Sequence, residues 1–268
     1  MTYSIFEDTL AELTYPQLEA AARRGVPVLL PTGVVEEHGP HLPLSTDVIG
    51  SQLLCRLARK RVLEQGGEAL VAPPYYWGIN HVTGAFPGSF RTRPEIAAGL
   101  LEDIFETLVT GGFEQVLVVN HHGDRAHNQM IADVIAAQHE RGRTGVRWLD
   151  HGGTARRLGF SGEEPQWAIY DPPEEWRARL SAHGGRTETA LVARYAPQLV
   201  DWDVIDELPE HQLSPEQLAE WRKGDEHAKR ITPHGYFGRP RTEFDDWRFY
   251  DHHGRAIGDA VLALTASA

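Results

Sequence analysis

Two runs of this chain, VPVLLPTGVV at Val26–Val35 and QVLVVN at Gln115–Asn120, are apolar almost without a break rather than on every second residue. Strands of that kind need cover on both faces, which a parallel sheet flanked by helices provides. The intervening segments supply the helices. Asp47 opens a helical stretch to about Glu64, with Ile49, Leu53, Leu54 and Leu57 as its apolar positions. Ala69–Pro73 reads as a short second strand, and a Gly/Pro/aromatic loop follows from Pro74 to Arg93. Pro94 suits the first turn of a helix that Gly111-Gly112 then stops. Further helices are expected at about Gln129–Glu140, at Thr187–Tyr195 and in a last segment ending near Ala266, with another strand at Val146–Leu149. This alternation predicts βαβ units and an α/β fold on a mainly parallel sheet. Gly152–Arg179, rich in Trp, Pro and Glu, reads as an inserted excursion. No linker or repeat divides the chain, so residues 1–268 are expected to form one domain.

Composition excludes several classes of function. Acidic groups outnumber basic ones by 38 to 26, for a formal charge of −12, and no Lys/Arg cluster is present. Such a chain is poorly suited to a phosphate backbone, so no nucleic-acid partner is expected. No segment approaches the ~18 apolar residues of a membrane helix, and Met1–Leu10 lacks the basic start and apolar stretch of an export signal. A cytoplasmic protein acting on a small molecule is the expectation. The single cysteine, Cys55, sits in an apolar run and excludes a disulfide framework or a cysteine-based zinc site. A dehydrogenase is excluded as well, because PTGVVEEHG lacks the glycines that approach a pyrophosphate.

The fourteen histidines are the unusual feature. In an open parallel sheet, ligands bind beyond the carboxyl ends of the strands, and two strand ends here are densely polar. One carries Glu36-Glu37-His38-Gly39-Pro40-His41, with Asp47 further on; the other carries His121-His122-Gly123-Asp124. Glu36 and His38 point the same way in an extended segment, and His122 and Asp124 repeat that spacing. Carboxylate with imidazole is a ligand mixture for Zn²⁺ or Mn²⁺. Five such groups around a shared carboxylate suit two ions rather than one. The plainer alternative makes Asp47 a helix cap and the histidines surface loop residues. A third cluster, His183-Gly184-Gly185-Arg186-Thr187-Glu188-Thr189, offers a histidine as general acid beside a carboxylate at a helix start.

These segments carry a resemblance. Gly33–Asp47 (GVVEEHGPHLPLSTD) resembles the first metal motif of the creatininase family, and Gly78–Ser89 its second block. Gly111–Asp124 is similar to the third, His183–Thr189 to the fourth, and Gly235–Pro240 to a late turn. The resemblance implies a three-layer α/β/α sandwich, two divalent ions per chain (Zn²⁺ and/or Mn²⁺) and a homo-oligomer, with a hexameric ring as the form expected. By position it implies that Glu36 and His122 bind one ion, that His38 binds the other, and that Asp47 bridges. Either Asp124 or Glu188 completes the second site, and His183 transfers the proton. His81, Ser89 and His121 are the candidates for touching substrate; His121 stands where the family usually has glycine. The chemistry implied is attack of a metal-bridging hydroxide on the carbonyl of a small cyclic amide. Hydrolytic carbon–carbon ring opening of a cyclic polyol ketone, such as a dehydro-inosose, is the first alternative. A non-catalytic, metal-stabilised binding protein is the second.

Overall fold

A computed structural model describes residues 4–177, 183–243 and 246–266. Among them, five strands form one sheet, β1 (Val28–Thr32), β2 (Leu70–Val71), β3 (Val116–Asn120), β4 (Val146–Asp150) and β5 (Trp167–Ile169). The order across the sheet is β2-β1-β3-β4-β5, and every pairing is parallel. Residues 1–3, 178–182, 244–245 and 267–268 lie outside the described set, as does the carboxyl end of the expected excursion.

The connections are helical. They comprise α1 (Tyr15–Arg23), α2 (Thr46–Glu64), α3 (Pro94–Thr110), α4 (Arg125–Glu140), α5 (Gly153–Leu158) and α6 (Glu174–Arg177). After them come α7 (Arg186–Tyr195), α8 (Trp202–Ile205), α9 (Pro215–Trp221), α10 (Asp225–Ile231) and α11 (Arg248–Ala266). Successive strand residues face opposite sides, so one sheet feeds two cores. Leu29, Leu117 and Leu149 pack with residues of α2, α7 and α11 on one side. Val28, Leu30, Val116 and Val118 pack with residues of α3 and α4 on the other. The result is the three-layer α/β/α arrangement expected from the sequence. Among the described residues, no helix is long and apolar enough to cross a membrane.

Two expectations need correction. The Gly152–Arg179 segment is not an excursion, because it supplies the edge strand β5 beside β4. Trp167 on β5 stacks on Trp148 of β4 with ring centroids 4.8 Å apart, and both are buried. Three residues are too few to show a strand period, which hid this strand in the sequence. The fourth helix also begins earlier than Gln129, at Arg125, with Asp124 as its N-cap.

The strand order reverses direction between β1 and β3: from β1 the chain crosses to β2 on one side, then returns past β1 to β3. A cleft opens at the carboxyl end of such a switch point. Both polar segments singled out above leave the sheet there.

Candidate metal centre

Gly33 directly follows β1, where the chain meets the start of α2. A Cβ on it would lie 2.9 Å from the backbone of Asp47, so the missing side chain lets the helix start approach the strand end. Ser45, not Asp47, is the N-cap residue of α2. Asp47 lies one residue inside the helix and carries its carboxylate, almost wholly buried, to the strand ends.

Both oxygens of Asp47 meet imidazoles. Oδ2 lies 2.8 Å from His122 Nδ1, and the same nitrogen lies 2.9 Å from Glu36 Oε1. Oδ1 lies 3.4 Å from His38 Nε2 and 3.2 Å from His121 Nδ1. Glu188, in the first turn of α7, brings Oε2 to 4.0 Å from His38 Nε2. Ligand atoms of Glu36, Asp47 and His122 lie within 4.8 Å of one another, and so do those of His38, Asp47 and Glu188. Asp47 belongs to both sets. All five residues are buried.

The outer faces of the two imidazoles are fixed by backbone. His38 Nδ1–H donates to the Glu36 carbonyl at 3.1 Å, and His122 Nε2–H donates to the Ile79 carbonyl at 3.2 Å. Each ring is thereby left with its other nitrogen facing the carboxylates. His38 Nε2 is buried and makes no hydrogen bond. An orphaned buried nitrogen aimed into carboxylates, with the far nitrogen on a carbonyl, is how metal-ligating histidines are oriented. The donor set of carboxylate oxygen and imidazole nitrogen suits Zn²⁺ or Mn²⁺. The residues therefore fit the divalent ions that the sequence resemblance implies.

Electrostatics points the same way. Glu36, Asp47 and Glu188 would put three negative charges against two neutral imidazoles in a buried space, an arrangement that is costly without compensating cations. These carboxylates favour the protonated form of the rings. Burial pushes His38 down, but Asp47, Glu188 and Glu36 overcome it and lift it to about 10. His122 is raised well above the ordinary value, with burial opposing and Glu36 and Asp47 prevailing. Burial alone would raise Asp47, yet His38 and the hydrogen bonds from His121 and His122 hold it well below the carboxylate range.

The remaining sequence candidates separate. His183 approaches the cluster, its ring 4.4 Å from that of His38 and one of its nitrogens within ligand range of Glu36 and His38. Its Nε2–H donates to the Glu37 carbonyl at 2.8 Å and lies 3.3 Å from Glu37 Oε1. Burial and His38 push His183 down, and the Glu37 contact more than offsets them, leaving it above the ordinary value. Asp124 is not brought into the cluster. Its Oδ1 accepts from the N–H groups of Ala126 and His127, and its Oδ2 from those of His81 and Val82. The His81 ring is exposed and its Nε2 contacts the Lys223 carbonyl at 3.0 Å. Ser89 Oγ accepts from the Glu37 N–H at 3.1 Å, which ties its loop to the strand end.

Two supporting residues escaped the sequence reading. Thr83 donates from Oγ1 to Glu36 Oε2 at 2.6 Å, and Glu37 holds His183. Thr83 falls inside the second resembling block and Glu37 inside the first, so position was the available signal; neither has a residue type that announces a metal site.

A creatininase family model, described as creatinine amidohydrolase, matches residues 11–248. The chain is 29% identical over 220 residues to a creatinine amidohydrolase of Pseudomonas putida, covering 78% of this chain and 79% of that protein. It is 27% identical over 222 residues to a mycofactocin precursor peptide peptidase of Mycobacterium ulcerans (strain Agy99), covering 80% of this chain and 75% of that protein. Among solved structures, "Creatininase Mn" superposes with a TM-score of 0.70 at 20% identity, covering 96% of this chain and 98% of that one. At that identity the superposition speaks for the fold alone.

The cap role of Asp124 is testable. Asp124→Ala should cost about 2 kcal/mol of folding stability, from a lost helix cap and unsatisfied N–H groups. Urea denaturation measures that loss, and metal content per chain should stay at the wild-type value. A variant of normal stability that fails to retain metal would instead make Asp124 a ligand.

Proposed function

The chain belongs to the creatininase family of hydrolases, and from that premise we propose that it holds two divalent ions side by side and hydrolyses the carbon–nitrogen bond of a small amide, cyclic amides being the first class to test. One observation carries the reading: two carbonyl-anchored imidazoles turn their inner nitrogens toward three buried carboxylates, and Asp47 is common to both halves. In this reading Glu36, Asp47 and His122 hold one ion, and His38, Asp47 and Glu188 hold the other. Asp124 is left to its helix cap. Paired ions of this kind polarise a carbonyl and make water nucleophilic at neutral pH.

The chain's own residues supply the rest. Thr83 keeps Glu36 in one orientation through a short hydrogen bond. His183 is the general acid, held at the edge of the cluster by Glu37, a contact that favours its protonated form. Its proton goes to the departing nitrogen, which would otherwise leave as an anion. The Trp221 ring lies 5.7 Å from that of His183 and walls this side of the cluster.

An exposed apolar strip supports the homo-oligomer expected from the sequence. Phe6, Trp77 and Leu100 line one groove, Phe90 packs edge-on to Trp77, and Ile96 stands one turn before Leu100 on α3. Contiguous apolar surface of this kind marks an interaction site. A second copy of the chain is the occupant proposed, since closed homo-oligomers are the commonest assemblies.

Four outcomes are expected. Elemental analysis of protein purified without chelator should find close to two ions per chain; Asp47→Ala should lower both and Glu188→Gln only one. A single full-occupancy ion, indifferent to Asp47→Ala, would overturn the paired site. His183→Ala should keep its metal and lose roughly 10²–10⁴-fold in turnover. Because Glu37 raises the His183 pKa, Glu37→Gln should move the alkaline limb of the kcat profile to lower pH; an unmoved limb would remove His183 from the proton donor's role. Light scattering should report an assembly that the pair Trp77→Glu and Leu100→Glu reduces to monomer, and a wild-type monomer would refute the oligomer.

A further inference from the structure

His121 was expected near substrate, but both of its ring nitrogens are engaged inward. Nδ1 lies 3.2 Å from Asp47 Oδ1, and Nε2 lies 3.0 Å from the hydroxyl of Tyr250 on α11. A carboxylate only accepts, so in the neutral ring Nδ1 carries the hydrogen and donates to Asp47, and Nε2 accepts from the Tyr250 O–H. The two rings also stack, with centroids 5.7 Å apart and planes 25° from parallel.

Space for this arrangement is built into α2. A Cβ on Gly50 would lie 2.6 Å from the His121 ring, so the imidazole occupies room that only a glycine leaves. Tyr250 is fully buried among residues of α2 and α7, and its hydroxyl meets the His121 ring there.

We propose that His121 is a positioning residue for the shared carboxylate, holding Asp47 Oδ1 in place, and that Tyr250 fixes His121 in turn. The proposal rests on the two-ion reading above. Its consequence is one-sided. Oδ1 is the oxygen beside His38 Nε2, which Glu188 also approaches, whereas Oδ2 lies beside His122 Nδ1, which Glu36 also approaches. A loosened Oδ1 therefore weakens the ion of the His38–Glu188 half first. Hydrogen-bond partners behind a metal ligand are typically worth about 10–100-fold in affinity, and that is the size expected here.

The test is stepwise Zn²⁺ titration of chelator-stripped protein against a chromophoric competitor, with the Co²⁺ absorption spectrum as a second readout. The ion lost in Glu188→Gln identifies the half concerned. His121→Gly should weaken that ion by about 10–100-fold and change the Co²⁺ bands, while the other ion shifts far less. His121→Asn, which keeps a donor near the Nδ1 position, should recover part of the loss. Tyr250→Phe should cost less than His121→Gly, and it should add nothing on top of His121→Asn, because the hydroxyl acts only through the ring. Thermal unfolding of the stripped variants reports whether each still folds, and Tyr250→Phe, which removes a single oxygen, keeps the test open if His121→Gly does not. Two ions in the wild type with both affinities unchanged within twofold in Tyr250→Phe and His121→Asn would overturn the proposal alone. Equal losses at both ions would also overturn it, by showing a general structural role. Fewer than two ions in the wild type would overturn the two-ion reading and the proposal together.

Discussion

Asp47 is the residue around which this molecule is arranged. Its two oxygens meet imidazoles from three positions, His38, His121 and His122. A buried carboxylate in such company needs compensating positive charge, and so do Glu36 and Glu188 beside it. This requirement explains why the turns after β1 and β3 and the start of α7 converge on one point. The strand order provides that point, since the reversal between β1 and β3 leaves a cleft at their carboxyl ends. The same reversal separates the two cores: α2, α7 and α11 cover one face, and α3 and α4 cover the other. Aliphatic packing on both faces holds the strand ends in register, Thr32 opposite Asn120.

Much of this was legible in the residues because the signals were local. Glu36, His38 and His122 follow directly on apolar strand runs, so their place at a strand end could be read without knowing the pairing. Asp47 could be placed at a helix start, although Ser45 proved to be the cap. Asp124 looked like a second member of the same pattern, two residues after His122. That spacing has meaning only in extended chain, and here the helix begins at Arg125. The polar run HHGDRAHN concealed its first turn, because His127 and Asn128 are buried polar residues rather than an apolar stripe. Once the helix starts there, four backbone N–H groups claim the Asp124 carboxylate.

What remained illegible depended on distant pairing. Glu188 was a candidate only through the family resemblance, since it reaches His38 through the placement of α7 and no local pattern distinguishes it from a helix-start glutamate. The contact between His121 and Tyr250 spans 129 residues. Strand β5 is too short to announce itself, and it is recognised by the stacking of Trp167 on Trp148. Glu37 presents a related difficulty, since its neighbours Glu36 and His38 carry the evident chemistry while it faces the other way, toward His183.

The order in which these groups occur along the chain has a consequence for how the centre comes into being. Glu36, His38 and Asp47 precede His122 in the order of synthesis, and Glu188 and then Tyr250 follow it. A nascent chain extending just past His122, in the turn after β3, has the donors of one half and lacks the carboxylate that completes the other. Until α7 has been made and docked, His38 has Asp47 as its only carboxylate in that half. The first half thus has its donors as soon as His122 has been made, and the second is closed only when α7 has followed.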